Sequence, residues 1–498
     1  MSPNPRADGD DAVPPSSSTG ADVESTHQDP AGRGEGARPG RIAAWALWDW
    51  GSAAFNAVVT TFVFTRWITS EEFVDPAVVA AATAEGADGG PARDALDLAL
   101  AQHSAWLGWG LAIAGLLIAV LAPVVGARSD DAGRRRRWLG IHTAVVVVLM
   151  GAMFSVQPDE DALTFNLLLG ITLLALANVV FELASVNYNA MLAQVCSPRS
   201  FGRVSGIGWG AGYLGGIVLL LILFVGFINP DVGWFGTTSE NGLDIRVAVL
   251  VSAIWFGVFA APVLLAVPEL PADRSRRRLG VGDSYRALWR DVRGLWRHSR
   301  STLRFLVASA VYRDGLAGVF TFGAVIASGT FGFTAAEVVV FAIAANLVAG
   351  LSTFAAGFLD DRIGPKRVIV GSLAGLLVAG TAVFLLHDGG ATVFWVFGLL
   401  LTVFVGPAQS ASRSLLARVI PPGRESEIFG LYATTGRAAS FLAPVAFSSF
   451  IAISGAQYWG VLGIMLVLAV GLALLLPVTV RPVPQEAVAP AAVAVRRD

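Results

Sequence analysis

Twelve apolar runs, each long enough to cross a bilayer as a helix, organise this chain. They fall at 42–67, 103–126, 138–156, 162–188, 204–228 and 246–267, and then at 303–327, 334–357, 367–386, 391–415, 427–451 and 457–478. In hydrocarbon every backbone N–H and C=O needs an internal partner, so these runs are predicted to be helices. The expected fold is an all-α membrane protein with twelve transmembrane helices in two pseudo-symmetric six-helix bundles. The bundles take 41–267 and 303–478, with a polar linker at 268–302 and tails at 1–40 and 479–498. The first tail is rich in Pro, Gly, Ser and acidic residues and is expected to be disordered.

Composition agrees with a lipid environment. Only 14% of residues are charged and 54% are hydrophobic, too little polar surface to cover a water-facing exterior. The charges are segregated. Alternate gaps carry Arg128 and Arg134 to Arg137, Arg199 and Arg203, Arg362, Lys366 and Arg367, and Arg418 and Arg424, while the others are mainly acidic. The positive-inside rule then places the basic gaps and both termini in the cytoplasm, and the expected location is the inner (plasma) membrane. Within the linker, 283–300 alternates Trp, Leu and Val with Arg at helical spacing, as in a helix lying in the membrane interface. Cys196 is the only cysteine, so an intramolecular disulfide is excluded.

The two halves echo each other. GARSDDAGRRRR (126–137) follows the second run and GFLDDRIGPKRV (357–368) follows the eighth. Gly126 matches Gly357, Asp130 matches Asp361, and Gly133 matches Gly364, all at one offset. A second echo joins Pro198, Gly206 and Gly212 to Pro422, Gly430 and Gly436. Repeated six-helix halves are the signature of carriers whose site lies between the repeats. Gly126, Asp130, Gly133, Arg134, Gly357, Asp361, Arg362, Gly364 and Lys366 are therefore the expected gate residues.

These paired loops resemble the signature loop of the major facilitator superfamily. The second copy is the closer, through Gly357, Leu359, Asp361, Arg362, Gly364 and Lys366; in the first, Arg128 and Asp131 depart from the pattern. WALWDWGSAAFNAVV (45–59), NYNAMLAQV (187–195), YRDG (312–315) and the segment 409–444 resemble the vacuole-effluxer-like branch, whose fungal members release amino acids from the vacuole after autophagy. Arg313 stands where that branch has asparagine, and Ala193 where it has proline. The resemblance implies a carrier with a central cavity among spans 1, 4, 7 and 10, and a cytoplasmic gate built on the signature loops.

A charge inside a span is costly and by default faces a cavity or a partner. Asp49, Glu182, Arg313, Asp314, Arg413 and Arg437 are such charges. Asn178, Glu182, Ser185 and Asn189 recur at i, i+4, i+7 and i+11 and so share one helix face, and Thr402, Gly406, Gln409 and Arg413 repeat that spacing. With Asn56, these are the expected substrate or proton pathway. Asp49 and Glu182 lie at similar depth and would repel if both were ionised, so one is expected to exchange a proton during the cycle. A structural pair of Asp314 with Arg313 or Arg437 is one alternative, and for Asp49 and Glu182 the alternatives are capping of nearby backbone or pairing with gating arginines such as Arg413. Trp45, Trp48 and Trp50 read as an interfacial aromatic belt.

No metal-ligand cluster, cofactor motif or nucleotide-binding loop is present in the sequence, so neither an enzyme nor a primary pump is expected. The expected partners are a small-molecule substrate, H+ as coupling ion and the lipid bilayer, with no nucleic acid, and the expected state is a monomer. A drug or sugar carrier, or a non-transporting receptor or scaffold, remain the alternatives at this level.

Overall fold

The computed structural model describes residues 38–86, 90–269, 293, 300–420 and 423–479. Most of the first tail, nearly all of the linker with its amphipathic segment, and most of the second tail lie outside these residues. Every regular element among the described residues is helical. The spans are α1 (Pro39–Ala53, continued by π-turns over Ala54–Phe62), α2 (Pro91–Ala132), α3 (Arg135–Ala152), α4 (Leu163–Ala190), α5 (Phe201–Leu223) and α6 (Leu243–Ala266). In the second half they are α7 (Arg300–Gly329), α8 (Ala335–Ile363), α9 (Pro365–Leu385), α10 (Leu399–Val419), α11 (Glu425–Ala439 and Leu442–Ser454) and α12 (Gly460–Leu475).

Eleven helices are long and apolar enough to cross a membrane on those grounds alone. The twelfth is α1, whose apolar run is diluted by Asp49 and Asn56 and whose hydrogen-bond ladder widens to π-turns from Ala54. Such widening is frequent at functional sites. Pro39, Pro91 and Pro365 open α1, α2 and α9, where a missing N–H costs nothing. Gly133 ends α2 in the left-handed region (φ 61°), which L side chains rarely adopt. Its counterpart Gly364 joins α8 to α9 at φ 90°.

Packing repeats between the halves. In the first, α1 lies on α5 and α6, and α4 on α2 and α3; in the second, α7 lies on α11 and α12, and α10 on α8 and α9. Each pairing recurs with the helix number raised by six. The bundles meet along two equivalent seams, α5 against α8 and α2 against α11. Glycines make both seams tight. A Cβ on Gly206 of α5 would come within 2.8 Å of the Thr353 carbonyl and 2.9 Å of Gly357 Cα. On Gly430 of α11 it would come within 2.6 Å of the Ala122 carbonyl. Small residues at such crossings let backbones touch.

Two of the tryptophans opening α1, Trp45 and Trp48, are not part of an interfacial belt. Trp45 and Trp48 are buried and clamp the Tyr188 ring of α4 between them, at centroid distances of 4.5 and 4.2 Å. Their indole N–H groups donate to the Tyr188 carbonyl and to Thr143 Oγ1, both at 3.1 Å. Two satisfied N–H groups inside a stacked core outweigh any gain from the membrane surface.

Candidate substrate pathway and gate

The signature loops close one end of the molecule by capping helices of the opposite bundle. Asp130, at the end of α2, accepts the Ser426 and Glu427 N–H groups at the start of α11 (3.1 and 2.9 Å). Asp361, at the end of α8, accepts the Gly202 and Arg203 N–H groups at the start of α5 (2.9 and 3.1 Å). A helix N-terminus presents unpaired donors and positive potential, so a carboxylate there is held by charge and geometry together.

Each cap is locked by an arginine, Arg135 buried and Arg418 half-buried. Arg135 bridges Asp130 and Glu425, with both contacts at 2.6 Å. Arg418 bridges Asp360 (2.6 Å) and Asp361 (3.0 Å), and Ser414 donates to Asp360. Arg135, Glu425, Asp360 and Arg418 were not singled out from the sequence. The signals were present: Arg135 sits in the basic run, Asp360 beside Asp361, and Arg418 and Glu425 within 409–444.

Three expected gate residues take other places. Arg134 precedes α3 with its side chain exposed, because the left-handed turn at Gly133 directs Arg135 inward in its stead. Arg362 is exposed at the end of α8. Lys366 donates to the Leu476 and Val478 carbonyls, both at 2.7 Å, and so ties down the end of α12 within its own bundle.

Above this seal lies a cavity of about 260 Å³, lined by α1, α4, α5, α8 and Arg413 of α10. Spans 1, 4 and 10 contribute as expected, but α5 and α8 stand where α7 was expected. Asp49, Asn56, Ser185 and Asn189 all line the cavity, among Trp48, Phe181, Trp209 and Tyr213. At its floor Asp49 Oδ2 accepts the Tyr188 hydroxyl (2.8 Å) and Arg413 Nη1 (3.1 Å). Arg413 also donates to Asn189 Oδ1 (3.2 Å), Ser205 Oγ (2.9 Å) and the Ser205 carbonyl (2.8 Å). Its guanidinium lies 4.8 Å from the Trp45 ring centroid and 5.6 Å from that of Trp209. Four donated hydrogen bonds and aromatic faces replace the water that a membrane-embedded cation lacks. Gly208 makes the room: a Cβ there would lie 2.6 Å from Asp49 Oδ2 and 2.8 Å from Arg413 Nη2.

A second polar cluster joins α4 to α11. Arg437 Nη2 donates to Glu182 Oε2 (3.1 Å) and Asn178 Oδ1 (3.2 Å). Asp49 and Glu182 thus do not face each other as a repelling pair, since each carboxylate has an arginine from the other bundle. Arg313 of α7 stacks 3.9 Å over the Tyr432 ring and donates to the Tyr432 carbonyl (3.3 Å). Asp314, its neighbour, pairs with neither Arg313 nor Arg437. Successive residues of a helix point about 100° apart, and Asp314 turns into the bundle. There it accepts the Ala443 N–H (2.5 Å), capping the second piece of α11 after its break at Ser440 and Phe441. Gln409 is half-buried, whereas Thr402 bonds its own helix and Gly406 packs against Thr353.

Two of the inter-bundle ion pairs, Arg135–Glu425 and Arg413–Asp49, lie in the seal and at the cavity floor. Two six-helix bundles, closed at one end over a shared cavity, make this a carrier of the major facilitator fold. The human organic anion transporter MFSD10 superposes with a TM-score of 0.64 at 17% identity, over 88% of this chain and all (100%) of that one. The family model described as "Vacuole effluxer Atg22 like" matches residues 39–488, and the chain belongs to that family. The uncharacterized MFS-type transporter YxiO of Bacillus subtilis is 25% identical over 433 residues, 87% of this chain and 93% of that protein. Autophagy-related protein 22 of Cryptococcus neoformans is 26% identical over 304 residues, 57% of this chain and 54% of that protein. The chain therefore spans about half the length of this fungal relative. It is a transporter, not an enzyme.

Proposed function

We propose that this chain moves an amino acid or similar small metabolite out of the cytoplasm by alternating access, coupled to protons. The observation that carries the reading is the Asp49–Arg413 pair. It joins the two bundles at the floor of an aromatic and amide-lined cavity, just above the seal. Opening the signature-loop end must separate Asp49 from Arg413 and Glu182 from Arg437. Substrate charge or a proton is the natural agent, because a protonated carboxylate no longer attracts its arginine. A substrate carrying both an ammonium and a carboxylate has a partner for each member of an opened pair. Amino acids as the cargo and export as the direction come from the family resemblance. The signature loops and both termini face the cytoplasm of the cell on this reading, and the protein works as a monomer in the plasma membrane.

The test is transport in proteoliposomes by wild type, Asp49→Asn, Glu182→Gln and Asp314→Asn, measuring pH-gradient-driven uptake and gradient-free exchange of radiolabelled amino acids. Loss of driven uptake with retained exchange in Asp49→Asn or Glu182→Gln supports coupling through that carboxylate. Wild-type driven uptake in both, with loss in Asp314→Asn, moves coupling to the second bundle. Absence of flux for every amino acid removes the substrate class. For sidedness, single cysteines placed at the exposed Ala84 and Arg362 in a Cys196→Ser background should label from outside and inside the cell respectively.

A further inference from the structure

Three of the four arginines in the 134–137 run take no part in the seal. Arg135 turns inward to Asp130 and Glu425, while Arg134 and Arg137 are exposed and Arg136 is half-buried. These three line one end of a groove of about 580 Å³ between the start of α3 and the end of α6. Gly140, Ile141 and Ala144, on the next two turns of α3, continue the groove against Leu264. Ile141 is 44% exposed on the apolar outer surface, so the groove runs from a basic head into the lipid-facing wall. Among the described residues that line it, the only acid is Glu269, which is already engaged. The two Glu269 oxygens accept the backbone N–H groups of Arg136 and Arg137 at 3.1 and 3.0 Å. Arg136 donates one N–H to the Val267 carbonyl (3.2 Å), and among the described residues neither Arg134 nor Arg137 has an acidic side-chain partner.

We propose that this groove binds the headgroup of an anionic phospholipid, with its phosphate at Arg134, Arg136 and Arg137 and its glycerol and upper acyl chains over Ile141 and Ala144. The chemistry matches at both ends. A guanidinium presents paired N–H donors to a phosphate, and three arginines against one carboxylate leave the head net positive. From residue 137 to 144 the helix rises about 10 Å, enough to carry a ligand from phosphate depth to acyl depth. Basic pockets between spans are a recurrent form of lipid headgroup site. Such a lipid holds the start of α3, the helix that delivers Arg135 to the seal, so it favours the closed state described here.

The test is native mass spectrometry of the full-length protein in detergent, titrated with phosphatidylglycerol, phosphatidylcholine or sn-glycerol 3-phosphate. Wild type should bind phosphatidylglycerol at least about tenfold tighter than phosphatidylcholine. Arg134→Gln with Arg137→Gln should weaken phosphatidylglycerol roughly 20–30-fold, at about fivefold per basic residue. The matched pair Arg362→Gln with Arg367→Gln, exposed on the other bundle, should have little effect. Ala144→Trp keeps every charge and fills the apolar end, so it should also weaken phosphatidylglycerol, and it carries the test if the double variant fails to fold. Three results overturn the site: no preference for the anionic lipid, equal loss in the matched pair, or glycerol phosphate binding as tightly as the lipid. The last would mark a soluble-phosphate site. None of these readouts depends on transport, so the site stands or falls apart from the proposed cargo.

Discussion

Asp130 and Asp361 are separated by 231 residues and make the same contact in opposite directions. Each ends a helix of one bundle and caps the first turn of a helix in the other, taking two backbone N–H groups and one arginine. The seal is therefore two copies of one device. Its strength lies in charge-assisted hydrogen bonds, each contributing about 1.5–3 kcal/mol.

Removing either charge should open the seal without unfolding the protein. Asp361→Asn loses the charge facing Gly202, Arg203 and Arg418 but keeps an oxygen that can accept. A shift of about 1.5–3 kcal/mol moves a two-state equilibrium roughly 10- to 150-fold toward opening. Transport should slow while expression and thermal stability stay near wild type, and Asp130→Asn should behave alike. Normal flux in both would remove the caps from the mechanism.

Arg413→Ala should be far more damaging than Asp49→Asn. The alanine leaves Asp49 facing the cavity floor with no counter-charge, and breaking a buried pair from one side costs about 3–5 kcal/mol. The asparagine keeps an oxygen for Arg413, which retains Ser205 and Asn189. The double variant Asp49→Asn with Arg413→Ala should recover part of the loss, and a thermal-unfolding double-mutant cycle measures the coupling.

Gly208→Ala tests the geometry of the pair. Its Cβ would crowd Asp49 and Arg413, whereas a Cβ on Gly212, one turn on, meets the Asp49 carbonyl at an ordinary 3.4 Å. Transport should drop at least about tenfold in Gly208→Ala if the pair is displaced by even about 1 Å. Gly212→Ala should stay near wild type. Equal activities would show that the pair tolerates displacement.

Cys196 reports on the seal without engineering. It lies between α4 and α5, buried beside Ser200, and burial pushes its thiol up to about 12. Maleimide labelling at neutral pH should be slow, because the thiolate is the reactive form. The rate should rise about tenfold per pH unit while the pH stays below that value. In Asp361→Asn, where the adjoining start of α5 is released, labelling at fixed pH should accelerate. A rate unchanged by that variant would mean that Cys196 stays covered when the cap is lost.

The hydrophobic runs by themselves determined the helices, because a chain in hydrocarbon must bond its own backbone and few structures achieve that. The repeated loops at a constant offset likewise determined the two-bundle plan and marked Asp130 and Asp361. An embedded charge needs an answer wherever it falls, so Asp49, Glu182, Arg413 and Arg437 were legible as a set. Their pairing was not. Whether Asp49 faced Glu182 or Arg413 depended on how the bundles closed, and helical spacing constrains neighbours on one helix only. For the same reason Asp314, adjacent to Arg313 in sequence, reads as its partner, yet the tertiary structure turns it to the break in α11. The buried Trp45 and Trp48 looked like membrane-surface residues until Tyr188 was brought between them. Sequence determines which groups must find partners; the closure of one bundle on the other decides which partners lie within hydrogen-bond distance.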